Sequence, residues 1–221
     1  MSPCYGWLMG PMLTRALVVL AVAASATDLA QSLQQKYDTV RDFSADFVHT
    51  YQGGVLHKQI TERGHVLVKK PGKMRWEYTS PEKKLFVSDG VRVYSYVPED
   101  KQVVVGAVPK DDQAGAPILF LAGKGNLVRD FTPTPGELPA NSPSGSLALK
   151  LVPKAAQPDY DWLLLVVDAR SLSLRTLVTM DGQGGQSSIS FVNLKENVAP
   201  ADKEFAFNIP HGVDVITDAS R

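Results

Sequence analysis

The sequence predicts a mainly β domain, and three observations carry that expectation. Its 221 residues are 44% hydrophobic and 21% charged, a globular balance. Glycine and proline, 17 and 15 residues, recur at intervals, as in a chain of short elements joined by turns. Between those turns apolar and polar residues alternate with a period of two. Basic and acidic residues balance at 23 each, so the net positive field that holds nucleic acid is missing and no such partner is expected.

The first segment reads as a targeting signal. Arg15 is the only charged residue before Asp28; an apolar run from Ala16 to Ala24 follows it and leads into the small-x-small site Ala24-Ser25-Ala26. A membrane span needs about 20 apolar residues, far more than this run holds. Residues 1–26 are therefore expected to be a cleaved secretory signal peptide, and 27–221 a single soluble domain with a full core. Cys4, the only cysteine, falls within the signal, so a disulfide, a thiolate metal site and a cysteine nucleophile are excluded from the mature chain.

The first mature element is a helix. Leu29, Leu33, Tyr37 and Val40 form one apolar stripe, with Thr27 or Asp28 as its cap. After Arg41 the period changes to two: Phe43, Ala45 and Phe47 share one face of a strand, and Gly53-Gly54 ends it. A second strand, Gln59 to Lys69, stops at Lys70-Pro71-Gly72. Met74, Trp76 and Tyr78 then alternate with Lys73, Arg75 and Glu77. Leu85 to Ser88, the Asp89-Gly90 turn, Val91 to Val97 and Gln102 to Val105 complete a six-strand antiparallel meander that curls toward a barrel. Residues 116–122, with Pro117 just inside the start and Gly123 just past the end, predict a short helix. Ile118, Leu119, Phe120 and Leu121 make it apolar all round, so it is either core or lid. Pro133 to Gly145 reads as a loop. Strands are expected again at Leu147 to Val152, Trp162 to Asp168, Leu174 to Met180, Ser187 to Leu194 and Phe205 to Ile209.

Catalytic chemistry is hard to find. His49, His57, His65 and His211 have no metal-site spacing, and Gly182-Gln183-Gly184-Gly185 joins two strands instead of opening a helix over a phosphate. Asp111-Asp112 reads as a solvated pair, and the Ser and His positions suggest no nucleophile with its base. No metal, cofactor or enzymatic activity is expected. What remains is an apolar surplus: Phe43, Phe47, Met74, Trp76, Tyr94, Trp162, Phe191 and Phe207 are candidates to point inward. They either line a pocket for acyl chains or fill an ordinary core.

Four stretches, in order, resemble the LolA family of outer-membrane lipoprotein carriers: Phe43-Ser-Ala-Asp-Phe47; Gly64-His-Val-Leu-Val-Lys-Lys-Pro-Gly-Lys-Met-Arg-Trp-Glu-Tyr78; Val87-Ser-Asp-Gly90 before Tyr94; and Phe205-Ala-Phe-Asn-Ile-Pro-His-Gly-Val213. The resemblance implies a half-open antiparallel β-barrel of about eleven strands with a lid of short α-helices over an apolar cavity. It further implies a monomeric periplasmic chaperone without a cofactor. Such a chaperone takes acylated lipoproteins released by an inner-membrane ABC transporter and delivers them to an outer-membrane lipoprotein receptor. On that resemblance Phe43, Phe47, Met74, Trp76 and Tyr94 would bind lipid, and Leu33, Ile118, Leu119 and Phe120 would form the lid. The basic residue that latches the family's lid, typically arginine, corresponds to Lys70. Lysine lacks the planar fork, so the latch is expected either to be weaker or to rely on Arg75 nearby. A lipid-sensing regulatory module of the same barrel shape is the alternative reading.

Overall fold

The computed structural model describes residues 17–53, 59–108, 121–123 and 125–217. Helix α1 (Leu17–Thr39) is followed by six strands: β1 (Asp42–Gln52), β2 (Gln59–Lys69), β3 (Lys73–Ser80), β4 (Lys84–Asp89), β5 (Arg92–Val97) and β6 (Gln102–Ala107). A one-turn helix α2 (Leu127–Asp130) leads into β7 (Phe131–Pro135), β8 (Ser146–Pro153), β9 (Trp162–Asp168), β10 (Leu174–Met180) and β11 (Gln186–Glu196). A 3₁₀ turn (Asp202–Phe205) and β12 (Asp214–Thr217) complete the order.

All twelve strands form one open sheet in the order β12-β6-β5-β4-β3-β2-β1-β11-β10-β9-β8-β7. Two antiparallel meanders, β1 to β6 and β7 to β11, are joined edge to edge where β1 pairs with β11. β12 returns to the free edge of β6 in parallel, its register running from Asp214 opposite Gln102 to Thr217 opposite Val105. The sheet folds around α1: Ala26, Ala30 and Leu33 share one core with Phe43, Phe47, Val68, Met74, Leu149, Leu165 and Phe191. That face is concave, and α1 is its cover.

Four features differ from the sequence expectations. The helix begins at Leu17, so Thr27 and Asp28 lie inside it instead of capping it. Residues 133–135, expected at the start of a loop, belong to an edge strand, Phe131–Pro135. Pro133 and Pro135 suit that edge, because they donate nothing to a further neighbour. Phe205 ends a 3₁₀ turn, and the last strand begins nine residues later, at Asp214. With it the strand number is twelve, not eleven.

Candidate functional site

Strand alternation and register build the concave face. Phe43 lies opposite Val68, which lies opposite Met74; Ala45, Val66 and Trp76 form the next row. One row further, Phe47 pairs with Gly64, and Gly64 with Tyr78. Glycine is required there: a Cβ on Gly64 would stand 2.0 Å from the Glu77 carbonyl oxygen and 2.7 Å from Phe47 Cζ. The absent side chain lets the Phe47 ring settle against Trp76 and Tyr78, each 4.9 Å away between centroids and edge-on. Phe191 extends the cluster toward Phe43 at 6.1 Å and Trp76 at 6.2 Å. Phe43, Phe47, Met74, Trp76 and Leu33 are all buried here.

The same residues leave little space. Beneath α1, Leu33, Phe43, Leu121, Leu127, Leu165 and Val167 surround a cavity of about 30 Å³. Ligand sites are roughly 300–1,000 Å³, so an acyl chain enters only when the cover moves. Polar contacts at the rim of α1 hold that cover. Lys36 Nζ meets Glu196 Oε2 at 2.5 Å, and Gln34 Oε1 accepts from the Leu127 amide at 2.8 Å. Lys70 Nζ donates to the Tyr37 carbonyl oxygen and sits 3.8 Å from the centre of the Tyr37 ring. Its aliphatic stem packs on Gly123, while the Gly72 amide donates to Ala122 O at 3.0 Å. The turn before β3 thus touches both α1 and residues 121–123. Ile118, Leu119 and Phe120 lie outside the described residues.

Burial pulls the Lys70 ammonium down from 10.5 to about 8, with Asp38 opposing the shift. A lysine whose folded value is depressed penalises the folded state while charged. The penalty is complete below about pH 8 and fades as pH rises toward the unfolded value, so this residue favours the closed protein increasingly between about pH 8 and 10.5. Thermal unfolding of wild type and Lys70→Met at about pH 7.5 and 9.5 checks the sign. Wild type is expected to gain relative to the variant at the higher pH, by an effect on the order of 1 kcal/mol after solvent screening. A difference independent of pH would remove Lys70 from the response.

Two predicted site residues lie elsewhere. Tyr94 packs with Val87, Val103 and Phe207 in a separate cluster on the convex face. Its ring is 5.3 Å from that of Phe207, which is likewise outside the concave core. Arg75 also faces outward, with Nε donating to Glu77 Oε1 at 2.6 Å and Nη1 reaching the Glu204 carbonyl. It does not meet Lys70 or α1, because residues 74 and 75 point to opposite faces of the strand. Trp162 is a third reversal: it joins Leu164, Val166 and Val178 outside, under Lys150.

Two polar groupings were not anticipated. On the concave side, His49 Nδ1 lies 3.3 Å from Glu62 Oε2, whose other oxygen accepts from Lys84 at 2.6 Å. His49 Nε2 is 2.9 Å from Ser187 Oγ. Burial depresses the His49 pKa against the pull of Glu62, raises Tyr78 to about 12, and the Glu62 hydrogen bond raises Lys84. Beside them, the buried Trp76 Nε1 has no acceptor among the described residues. On the convex side Ser44 Oγ, His65 and Asp46 form a chain with spacings of 3.1 and 3.0 Å. Asn193, at a β-bulge with φ 54°, donates to the other Asp46 oxygen. This corrects the expectation that no serine is paired with a base. The chain has the order of a nucleophilic relay, but the His65 side chain is 43% exposed on an open sheet face, far from the dry, donor-lined pocket acyl transfer requires.

Comparison with known proteins agrees with this architecture. The family model "Outer membrane lipoprotein carrier protein LolA" matches residues 38–208. An outer-membrane lipoprotein carrier protein of Methylobacillus flagellatus is 30% identical over 86% of this chain and 89% of its own length. That of Methylococcus capsulatus is 29% identical over 92% of this chain and 98% of its own. Among solved structures, a conserved protein from Thermus thermophilus shares the fold with a TM-score of 0.52 at 15% identity, over 87% of this chain and 99% of that one. With the family model spanning both meanders and the β1–β11 seam between them, the chain belongs to the LolA family of outer-membrane lipoprotein carrier proteins.

Proposed function

We propose that the protein is a periplasmic carrier which, after loss of residues 1–26, takes acylated lipoproteins from an inner-membrane lipoprotein-releasing ABC transporter and delivers them to an outer-membrane lipoprotein receptor. It acts as a monomer, by binding and release, with no reaction or cofactor of its own. Phe43, Phe47, Met74 and Trp76 line the acyl site, α1 with Leu33 covers it, and Lys70 latches the cover. The observation that carries this reading is an apolar concave face covered by a helix that, from residue 27 on, buries Ala30 and Leu33 and packs Leu29 and Tyr37 beside them.

Acyl chains in water lose about 25 cal/mol for each Å² exposed. Lifting α1 uncovers Ala30 and Leu33 with the covered parts of Leu29 and Tyr37, an exposure that costs a few kcal/mol. Acyl chains taking their place offset that cost, and the competition keeps binding moderate enough for later release.

Incubating residues 27–221 with spheroplasts and ATP tests the reading. Acylated lipoproteins are expected in the soluble fraction as a one-to-one complex with the protein. A folded protein that releases none, beside a compatible transporter shown to be active, would sink the carrier function.

A further inference from the structure

We propose that the row His49, Glu62, Tyr78 and Lys84, together with Trp76 Nε1, is a polar subsite for the ester and amide carbonyls that join a lipoprotein's acyl chains to its N-terminal cysteine. The inference rests on the carrier reading above and locates the end of the acyl site at which cargo enters head-last.

The register sets these residues side by side: His49 lies opposite Glu62, and Tyr78 opposite Lys84, all on the concave side of β1 to β4. They continue the rows of Phe43, Ala45 and Phe47, so one face passes from wholly apolar to polar within a few residues. At that end the interior opens to a cavity of about 240 Å³ between β2, β3, β4 and β5, with Glu62, Trp76, Tyr78, Lys84, Phe86 and Ser95 on its walls. The opposite end, beneath α1, is apolar and nearly filled.

An acyl lipid has the same polarity gradient. Its tails need apolar contact, whereas its ester and amide carbonyls need donors once they leave water, since a buried acceptor without one loses most of its hydration energy. Donors gather where the cavity opens. Trp76 Nε1 is buried and has no acceptor among the described residues, a state that destabilises the empty protein and that a ligand carbonyl relieves. Lys84 is held in position by Glu62, whose side chain is only 13% exposed, and His49 Nδ1 lies 3.3 Å from the other Glu62 oxygen. A carboxylate so enclosed requires its cationic partner, and its effect is to hold the Lys84 ammonium at the cavity wall. The grouping therefore recognises carbonyl oxygen, not a phosphate headgroup, which Glu62 would repel.

Two probes separate head from tail recognition: a tripalmitoyl-glyceryl-cysteinyl peptide, and its analogue with ether links in place of the esters. Wild type is expected to bind the ester ligand at least about tenfold more tightly than the ether, near 1.4 kcal/mol. Lys84→Met should reduce that preference severalfold while binding the ether as wild type does; Trp76→Phe, which keeps a ring but removes the donor, should reduce it as far, read as the ester-to-ether ratio alone because Trp76 also lines the acyl site. Unchanged ether binding by Lys84→Met shows that this variant folds, and circular dichroism with thermal melting checks the fold of Trp76→Phe. Equal affinity of wild type for both ligands, or full ester preference in both variants, overturns the subsite while leaving the carrier reading intact. Failure of wild type to bind either ligand overturns the carrier reading and the subsite with it.

Discussion

The double variant Lys36→Cys, Glu196→Cys, once joined by a short bis-maleimide, will lose acyl-chain uptake by about 100-fold or more. The two native side chains meet at 2.5 Å across the seam between α1 and β11, so a short linker spans the introduced thiols without displacing the helix. The only native cysteine is Cys4, so in residues 27–221 the introduced pair reacts alone. Before cross-linking, the variant lacks one partly exposed ion pair, worth at most about 1 kcal/mol, and uptake should be near that of wild type. Afterwards α1 cannot leave, and the space beneath it is about 30 Å³. Affinity scales with the fraction of molecules that are open, so fixing that fraction near zero removes binding without altering one lining residue. Uptake that survives cross-linking would mean that cargo enters past a stationary α1, and would transfer the role of gate to residues 116–122.

Gly64→Val should be the most destabilising single change in the sheet, on the order of 3 kcal/mol or more and about 10 °C in melting temperature. The first added carbon overlaps a backbone oxygen, which cannot rotate away as a side chain would. A register irregularity between Arg63 and Gly64 already uses the local freedom of the strand, so β2 and β3 can separate only by breaking their ladder. The same carbon strikes Phe47 Cζ, and expelling that ring dismantles its contacts with Trp76 and Tyr78. Stability and acyl binding should therefore fall together. Chemical denaturation gives the first quantity, and a variant within about 1 kcal/mol of wild type would show that the strands shift to accommodate the side chain.

Those aromatic rows were legible in the sequence because β3 alternates strictly: Met74, Trp76 and Tyr78 have charged neighbours, and only one face can be buried. Where both faces are apolar the period says nothing. Tyr94 and Tyr96 alternate with Val93 and Val97, and both sets are at least partly covered, the tyrosines by Phe207 from the C-terminal segment. Trp162 heads a strand whose next five residues are all buried, a run without alternation from which to read direction. The edge strand β7 was hidden by its prolines, which signal a loop unless the strand is known to lie at an edge. Lys70 at the turn was identified from the resemblance, but Tyr37, its carbonyl partner, was not, since a backbone oxygen leaves no mark in side-chain pattern. His49, Glu62 and Lys84 left no signal in the sequence because their grouping spans three strands and no motif records it.

The β1–β11 seam also governs how such a chain reaches its fold. Contacts across it join residues 138 and 147 positions apart, His49 with Ser187 and Asp46 with Asn193, whereas each meander is stitched from neighbouring hairpins. Local hairpins close within microseconds, but a long-range seam must first overcome the entropy of a large loop, which places this topology among the slow folders. Until β11 has been synthesised and released, β1 has a raw edge and the aromatic rows have no opposite wall. A nascent chain is therefore unable to complete its core early, and under the periplasmic proposal that delay suits the extended state a secretion channel demands.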